Sequence, residues 1–293
     1  MRPDELRAEF PVLERVEYLN AGTDGPMPAR AERAAAERLR RELQEGRSGR
    51  RHRESLGALR ERVRSHLADL LGCRAGEVAL THSTTDGINT ILSALELGQG
   101  DEVLTSDEEH PGLLAPLAAA ERRSGVTVRV VPFEALADAV GPETRLVACS
   151  QVSWVTGRVA DTDALATTGA PVLLDGAQGL GAVPTKVGEL GCDFYAAAGQ
   201  KWLCGPDGTG CLYVRDERIR GLPAPWPGYE SLSAPGRAAE LPLHPDARRL
   251  DRGAGSGPLA AWWLTSIELL SGTGWKQVHA RAVALAERLA GRL

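Results

Sequence analysis

The feature that most constrains this chain is an alternation. Short β-branched and apolar runs at 78–81, 102–106, 127–131, 146–150, 172–175 and 194–197 are separated by helical apolar spacing at 28–43, 56–71, 86–95, 113–123 and 161–165. A strand, a covering helix and a further strand bring the chain back in the same direction. The pattern therefore predicts an α/β domain with a mainly parallel sheet flanked by helices. Leu59, Val63, Leu67 and Leu70 share one face of the second helical stretch, as a helix packed on a sheet requires. A run at 210–214, just beyond Gly205–Gly208, is expected to return as an antiparallel seventh strand.

Residues 221–246 are rich in Pro, Gly and Ala and read as an irregular excursion. Two more helices are expected at 259–270 and 274–293, the last with Val278, Ala282, Leu285 and Leu289 on one face. With 293 residues, 43% of them hydrophobic, the chain can bury a sizeable core in one or two domains. The net charge of -5 comes from intermixed charges, which argues against a general nucleic-acid binder. The basic stretch at 47–53 lacks interleaved aromatics and is expected as a solvated or substrate-entrance loop. The charged start lacks a signal-like apolar run and no segment is apolar for long enough to cross a bilayer, so a cytoplasmic location without membrane partners is expected. The five cysteines show no zinc-binding spacing, so no metal is expected and they read as reduced core or near-core residues.

Lysine usage carries more information. The 34 basic residues include only Lys186, Lys201 and Lys276 as lysines. Only an amine with an accessible neutral form can make an imine, and arginine cannot replace it. Lys201 lies in a loop after the strand at 194–197, and Asp175 ends the strand at 172–175, where open α/β sheets bind ligands. Alone, an aspartate there is more often a turn or helix cap. Together, an amine and an acid on neighbouring strand ends can reach opposite ends of one pyridine ring, as pyridoxal 5′-phosphate (PLP) demands.

Around these two residues stand Asp175-Gly176-Ala177-Gln178, Gly199-Gln200-Lys201 and the run Gly205-Pro206-Asp207-Gly208-Thr209-Gly210. In this the chain resembles the class V aminotransferase and cysteine desulfurase family, from about residue 17 to the end. That resemblance implies a PLP-transferase fold type I large domain with a mainly parallel seven-stranded sheet, at 20–258. It further implies an N-terminal segment near the substrate entrance at 1–19, and connecting helices at 259–293 leading to a small domain. Lys201 would be the Schiff-base lysine, Asp175 the partner of the pyridine nitrogen, and His110 the residue stacked on the ring. Thr84 and Thr85, in Thr84-Thr85-Asp86-Gly87-Ile88-Asn89, would grip the phosphate, although any helix could use them as caps. Gln178 would meet the phenolic oxygen; Ala177 and Gln200 would also touch the cofactor. Asn20, Ala21 and Trp154 would lie near the substrate, and Ser256 would sit in a loop reaching the partner subunit of a homodimer.

Three departures from the family pattern stand out. Ala198 and Gln200 occupy the Ser and His positions of its Ser-x-His-Lys loop, and Ala254 replaces a threonine that Ser256 is placed to substitute. These changes point to a divergent branch. Family members usually continue into a small domain bearing the substrate-carboxylate arginine and, in desulfurases, a nucleophilic cysteine. Either the chain is truncated or the protein works without that half; a last helix with one unpartnered apolar face favours truncation. The implied activity is PLP chemistry at Cα of a small amino acid: cysteine desulfuration or another lyase reaction, transamination, or epimerisation. The competing expectation is a catalytically inactive PLP-binding or scaffold homologue. A nucleotide site at Gly98-Gln99-Gly100 or 253–257 lacks a complete fingerprint. Of the remaining histidines, His66, His82, His244 and His279 read as surface or capping residues, and Lys186 and Lys276 read as surface lysines.

Overall fold

The computed structural model of the chain describes residues 1–252 and 255–292. A short helix α1 (Pro3–Ala8) precedes two long ones, α2 (Ala29–Glu45) and α3 (Gly49–Leu71). Strands and helices then alternate: β1 (Val78–Thr81), α4 (Thr84–Ala94), β2 (Glu102–Ser106), α5 (Pro111–Ser124), β3 (Thr127–Val131) and β4 (Thr144–Ser150). Next come α6 (Thr162–Thr167), β5 (Val172–Asp175), α7 (Val187–Leu190), β6 (Phe194–Ala198) and β7 (Gly210–Val214). The short α8 (Asp216–Ile219) opens the irregular excursion, and α9 (Gly257–Thr273) and α10 (Trp275–Ala290) follow it.

The seven strands form one sheet in the order β1-β7-β6-β5-β4-β2-β3. Strands β2 to β6 pair in parallel, while β7 lies antiparallel to both β6 and β1. Strand β1 therefore runs with the parallel set, and its C-terminal end opens on the same edge as theirs. The expected antiparallel return at 210–214 is present.

Each strand feeds two cores. In β5, Val172 and Leu174 pack with Val63 and Leu67 of α3 and Trp263 and Ile267 of α9. Leu173, between them, packs with Ile88 and Ile91 of α4 and Leu113 and Leu117 of α5. Burial on both faces explains why the strand sequences are almost continuously apolar rather than alternating. Helix α4 approaches the sheet so closely that a Cβ on Gly87 would stand 2.9 Å from the Ala196 methyl on β6. Glycine at this position sets the depth at which the helix start meets the sheet edge.

Two expectations are corrected. The 47–53 stretch is not a loop beyond Gly49: α3 begins there, seven residues before the expected start, and Arg50 pairs with Glu54 one turn on at 2.6 Å. Arginine is a good helix former and the i,i+4 pair adds support, so a charged run became a solvated helix. His279 is buried rather than superficial, against the Trp275 ring at 5.9 Å between centroids, because the first turns of α10 fold back on the body. Lys186 is exposed, but its ammonium donates to the carbonyls of Asp69 and Leu70 at 2.9 and 3.2 Å, closing the C-terminus of α3. Among the described residues no helix is long and apolar enough to cross a membrane. All five cysteines are free, four of them buried and Cys73 half-buried.

Candidate active site

Asp175 is the last residue of β5, in the middle of the sheet, opposite Ser150 on β4 and Ala196 on β6. It is 5% exposed, and its Oδ1 accepts the Ala177 N–H at 2.8 Å. Burial pushes its carboxyl above the usual carboxylate range; the Ala177 N–H, then Lys201 and His110, pull the other way. The structure thus brings the three residues expected to do the chemistry to the C-terminal edge of the parallel strands, near enough for Lys201 and His110 to act on Asp175.

Lys201 follows β6 in a tightly closed loop. The Cys204 N–H donates to the Lys201 carbonyl at 3.0 Å, and the Gly205 N–H to the Gly199 carbonyl at 2.8 Å. From the N-terminal segment, the Gly25 N–H donates to the Gln200 carbonyl at 2.6 Å. The chains touch so closely there that a Cβ on Gly25 would collide with the Lys201 carbonyl. Cys204 takes a left-handed backbone with φ of 53°, held because its carbonyl accepts from Trp262 Nε1 and Ser266 Oγ on α9, both at 2.9 Å. Half-burial lowers the proton affinity of the Lys201 amine, opposed by Asp175 and Asp24. Desolvation is what raises the neutral, nucleophilic fraction of a lysine.

Gln178 acts as a buckle. Its Nε2 donates to the Gly22 carbonyl at 2.8 Å and its Oε1 accepts from Trp202 Nε1 at 2.9 Å, joining the N-terminal segment to the Lys201 loop. One Nε2 hydrogen is left for a ligand such as the expected phenolic oxygen. Gly22, Asp24, Gly25 and Trp202 were not singled out as individual roles from sequence. Each acts through backbone or through a distant partner, and neither leaves a spacing signal.

At the start of α4, the Asp86 N–H is taken by Ser83 Oγ and the Gly87 N–H by the Ser83 carbonyl. The N–H groups of Thr84 and Thr85 have no partner within the helix. The Thr84 hydroxyl is buried and lacks a partner, as a group awaiting an acceptor would be. Thr85 differs from expectation in part: its hydroxyl donates to the Gly112 carbonyl at 3.0 Å, which leaves its N–H as the donor for an anion. The Gln200 side-chain oxygen is also buried without a partner.

On the open side, His110 is exposed; its Nδ1 accepts the Gly112 N–H at 2.9 Å, which in the neutral ring places the proton on Nε2. Trp154 meets it edge to face, centroids 5.0 Å apart at 82°, and is half exposed itself. Asn20 is exposed, its carbonyl accepting from Thr23 and Asp24 in a turn, and Ala21 is half-buried beside it. Ser256 is exposed ahead of α9 and caps it with no side-chain bond. The expected positions Gly253 and Ala254 lie outside the described residues. A desolvated amine, a buried acid and an open helix start with an unsatisfied hydroxyl fit a phosphorylated pyridine aldehyde.

The chain is similar to several known proteins. The sequence is 34% identical over 254 residues to a cysteine desulfurase of Klebsiella pneumoniae (strain 342), covering 79% of this chain. The chain spans 62% of that relative's length. Among solved structures it is similar, with TM-score 0.89 and 28% identity over 96% of this chain and 77% of the other, to a mutant of C-DES with glycine covalently linked to its PLP cofactor. It is also similar, with TM-score 0.85 and 29% identity over 90% of this chain and 74% of the other, to the cystine C–S lyase C-DES in complex with its reaction product cysteine persulfide. The family model described as aminotransferase class-V matches residues 18–293, and the chain belongs to that family.

Proposed function

We propose that this chain binds PLP through Lys201 and acts at the Cα of a small sulfur-containing amino acid, as a C–S lyase of the desulfurase type. The observation that carries the reading is the gathering of Lys201, Asp175 and His110 at the C-terminal edge of the sheet, with the unsatisfied Thr84 hydroxyl at a helix start there. When bound, the cofactor supplies an electron sink for negative charge developing at Cα.

The protein's residues divide the remaining work. Asp175, fixed by the Ala177 N–H, would favour a proton on the ring nitrogen by its charge, and a bound cation would draw its raised proton affinity back down. The α4 start, with the N–H groups of Thr84 and Thr85 and the Thr84 hydroxyl, holds the phosphate. The Lys201 Nζ would hold the cofactor and could move a proton at Cα, its half-buried setting keeping it from being locked in the charged form. His110, backed by Trp154, would pack against the cofactor. Cys204, three residues from Lys201, is not a sulfur acceptor: burial pushes its thiol up to about 12, so it holds no reactive thiolate near neutrality.

The exposed leucines Leu39 and Leu43 on α2 support pairing with a second copy, in keeping with the expected homodimer, and a cytoplasmic location accords with the free cysteines. The test is an absorbance spectrum of the PLP-loaded chain with and without L-cysteine or L-cystine. A visible band that responds to the amino acid, with release of sulfide or persulfide, is expected. A band that never responds supports an inactive PLP-binding homologue, and absence of a band after PLP soaking refutes the reading.

A further inference from the structure

Beside the residues already assigned lies a buried carboxylate that the reaction does not use. Glu109 is 4% exposed, immediately before His110. Its Oε1 accepts from Ser106 Oγ at 2.5 Å, and its Oε2 from the N–H and the hydroxyl of Ser150 at 2.9 and 2.6 Å. Ser106 ends β2 and Ser150 ends β4, directly opposite Asp175. We propose that Glu109 is a positioning residue for this site: an ionised buried carboxylate that staples the His110 turn to two strand ends and supplies a second negative charge beside Asp175. The inference rests on the PLP reading and names a residue that reading leaves idle.

The hydrogen-bond directions support ionisation. Ser106 Oγ accepts from the Glu108 N–H at 3.3 Å and keeps its own hydrogen to give to Glu109. The Ser150 N–H can only donate. A carboxylate accepts all three contacts, the N–H and the two hydroxyls, whereas a carboxylic acid would have to turn one hydroxyl away to donate to it. The titratable groups around it are Asp175 on β5, Cys149 on β4, and Glu108 and His110 on its own turn, with Arg158 on the far side of Glu108 at 4.0 Å. Burial raises the proton affinity of Glu109, the hydrogen bonds from Ser106 and Ser150 oppose it, and repulsion by Asp175 adds to the rise, so holding the charge costs stability.

Glutamine keeps the shape and one acceptor, which suffices for the two Ser150 donors, and its NH2 can give to Ser106 Oγ if that hydroxyl turns, so it preserves most of the staple without the charge. What the charge can do is favour a cation on the cofactor. His110 needs the staple because it is exposed and only the Gly112 N–H and the Trp154 edge hold its ring.

The test compares PLP-loaded wild type, Glu109→Gln, Glu109→Asp and Ser106→Ala by pH titration of the bound cofactor's visible absorbance, with thermal melting of the cofactor-free proteins. Removing a nearby negative charge disfavours the protonated chromophore. The Glu109→Gln midpoint should therefore fall by about 0.5 to 1 pH unit, a three- to tenfold change in proton affinity. Glu109→Asp should restore the midpoint. Ser106→Ala, which strips one donor from the carboxylate, should move it the same way by less, and serves if Glu109→Gln does not fold. Unmoved midpoints in Glu109→Gln or, in its place, Ser106→Ala overturn the charge role and reduce Glu109 to a structural staple. Wild type that takes up no PLP overturns the functional reading and this inference together; wild type that takes it up beside an unshifted variant overturns the inference alone.

Discussion

The Lys201 loop and the His110–Trp154 rim face one site and are held in opposite ways. The loop is closed by backbone bonds to itself, to Gly25 and to α9, and it tolerates a left-handed Cys204 because Trp262 and Ser266 hold that carbonyl. The rim is exposed: Trp154 and Val155 are 50% and 61% accessible, and His110 is located by one backbone bond and one edge-to-face contact. Groups that form covalent bonds must stay within a fraction of an ångström, so they are built into the core. Groups that meet varied substrates can be hung on loops. The difference predicts where substitutions are costly and where they are mild.

The largest effect should come from the centre of the loop. Lys201→Ala, and equally Lys201→Arg, should lower turnover at least about 10³-fold in a sulfide-release assay with added PLP. Retained activity in either would break the contrast at its rigid end. Next, Asp175→Asn should cost about 10²-fold in turnover or more. It should also change stability with pH. A carboxyl whose folded proton affinity is raised by burial penalises folding above that raised value, and the penalty vanishes below the ordinary value near ~3.9. Cofactor-free Asp175→Asn should accordingly melt above wild type at pH 8, with the gap closing as the pH falls towards ~4.

Third, Gly25→Ala should destabilise the chain by about 1–3 kcal/mol in urea unfolding, since its methyl must displace the Lys201 carbonyl. Val155→Ala on the rim should stay within about 0.5 kcal/mol of wild type. The smallest catalytic effect should be that of Trp154→Ala: a few-fold rise in KM with kcat retained, worth about 1 kcal/mol or less. A large fall in kcat instead would place the rim within the chemistry and blur the distinction.

The same contrast governs what could be read from sequence. The strands were legible because burial on both faces demands apolar runs such as Val172-Leu173-Leu174, and the parallel order followed from their alternation with helices. The places of Lys201 and Asp175 were legible because each follows or ends an apolar run that forms a strand. The buckle of Gln178 between Gly22 and Trp202 was not, since those partners lie 156 and 24 residues from it in the chain. Glu109 stood beside His110 in plain view, but nothing in its spacing told a buried carboxylate from a solvated one. The early start of α3 was missed because a run of arginines reads equally as loop or as an exposed helix face.

The central claim is a covalent bond at one lysine, and reduction with borohydride followed by peptide mass mapping tests it most directly. The PLP-loaded chain should carry one reduced pyridoxyl group on the peptide containing Lys201, and none on those containing Lys186 or Lys276. A label on either of these two instead, or labelling undiminished in Lys201→Ala, would contradict the account.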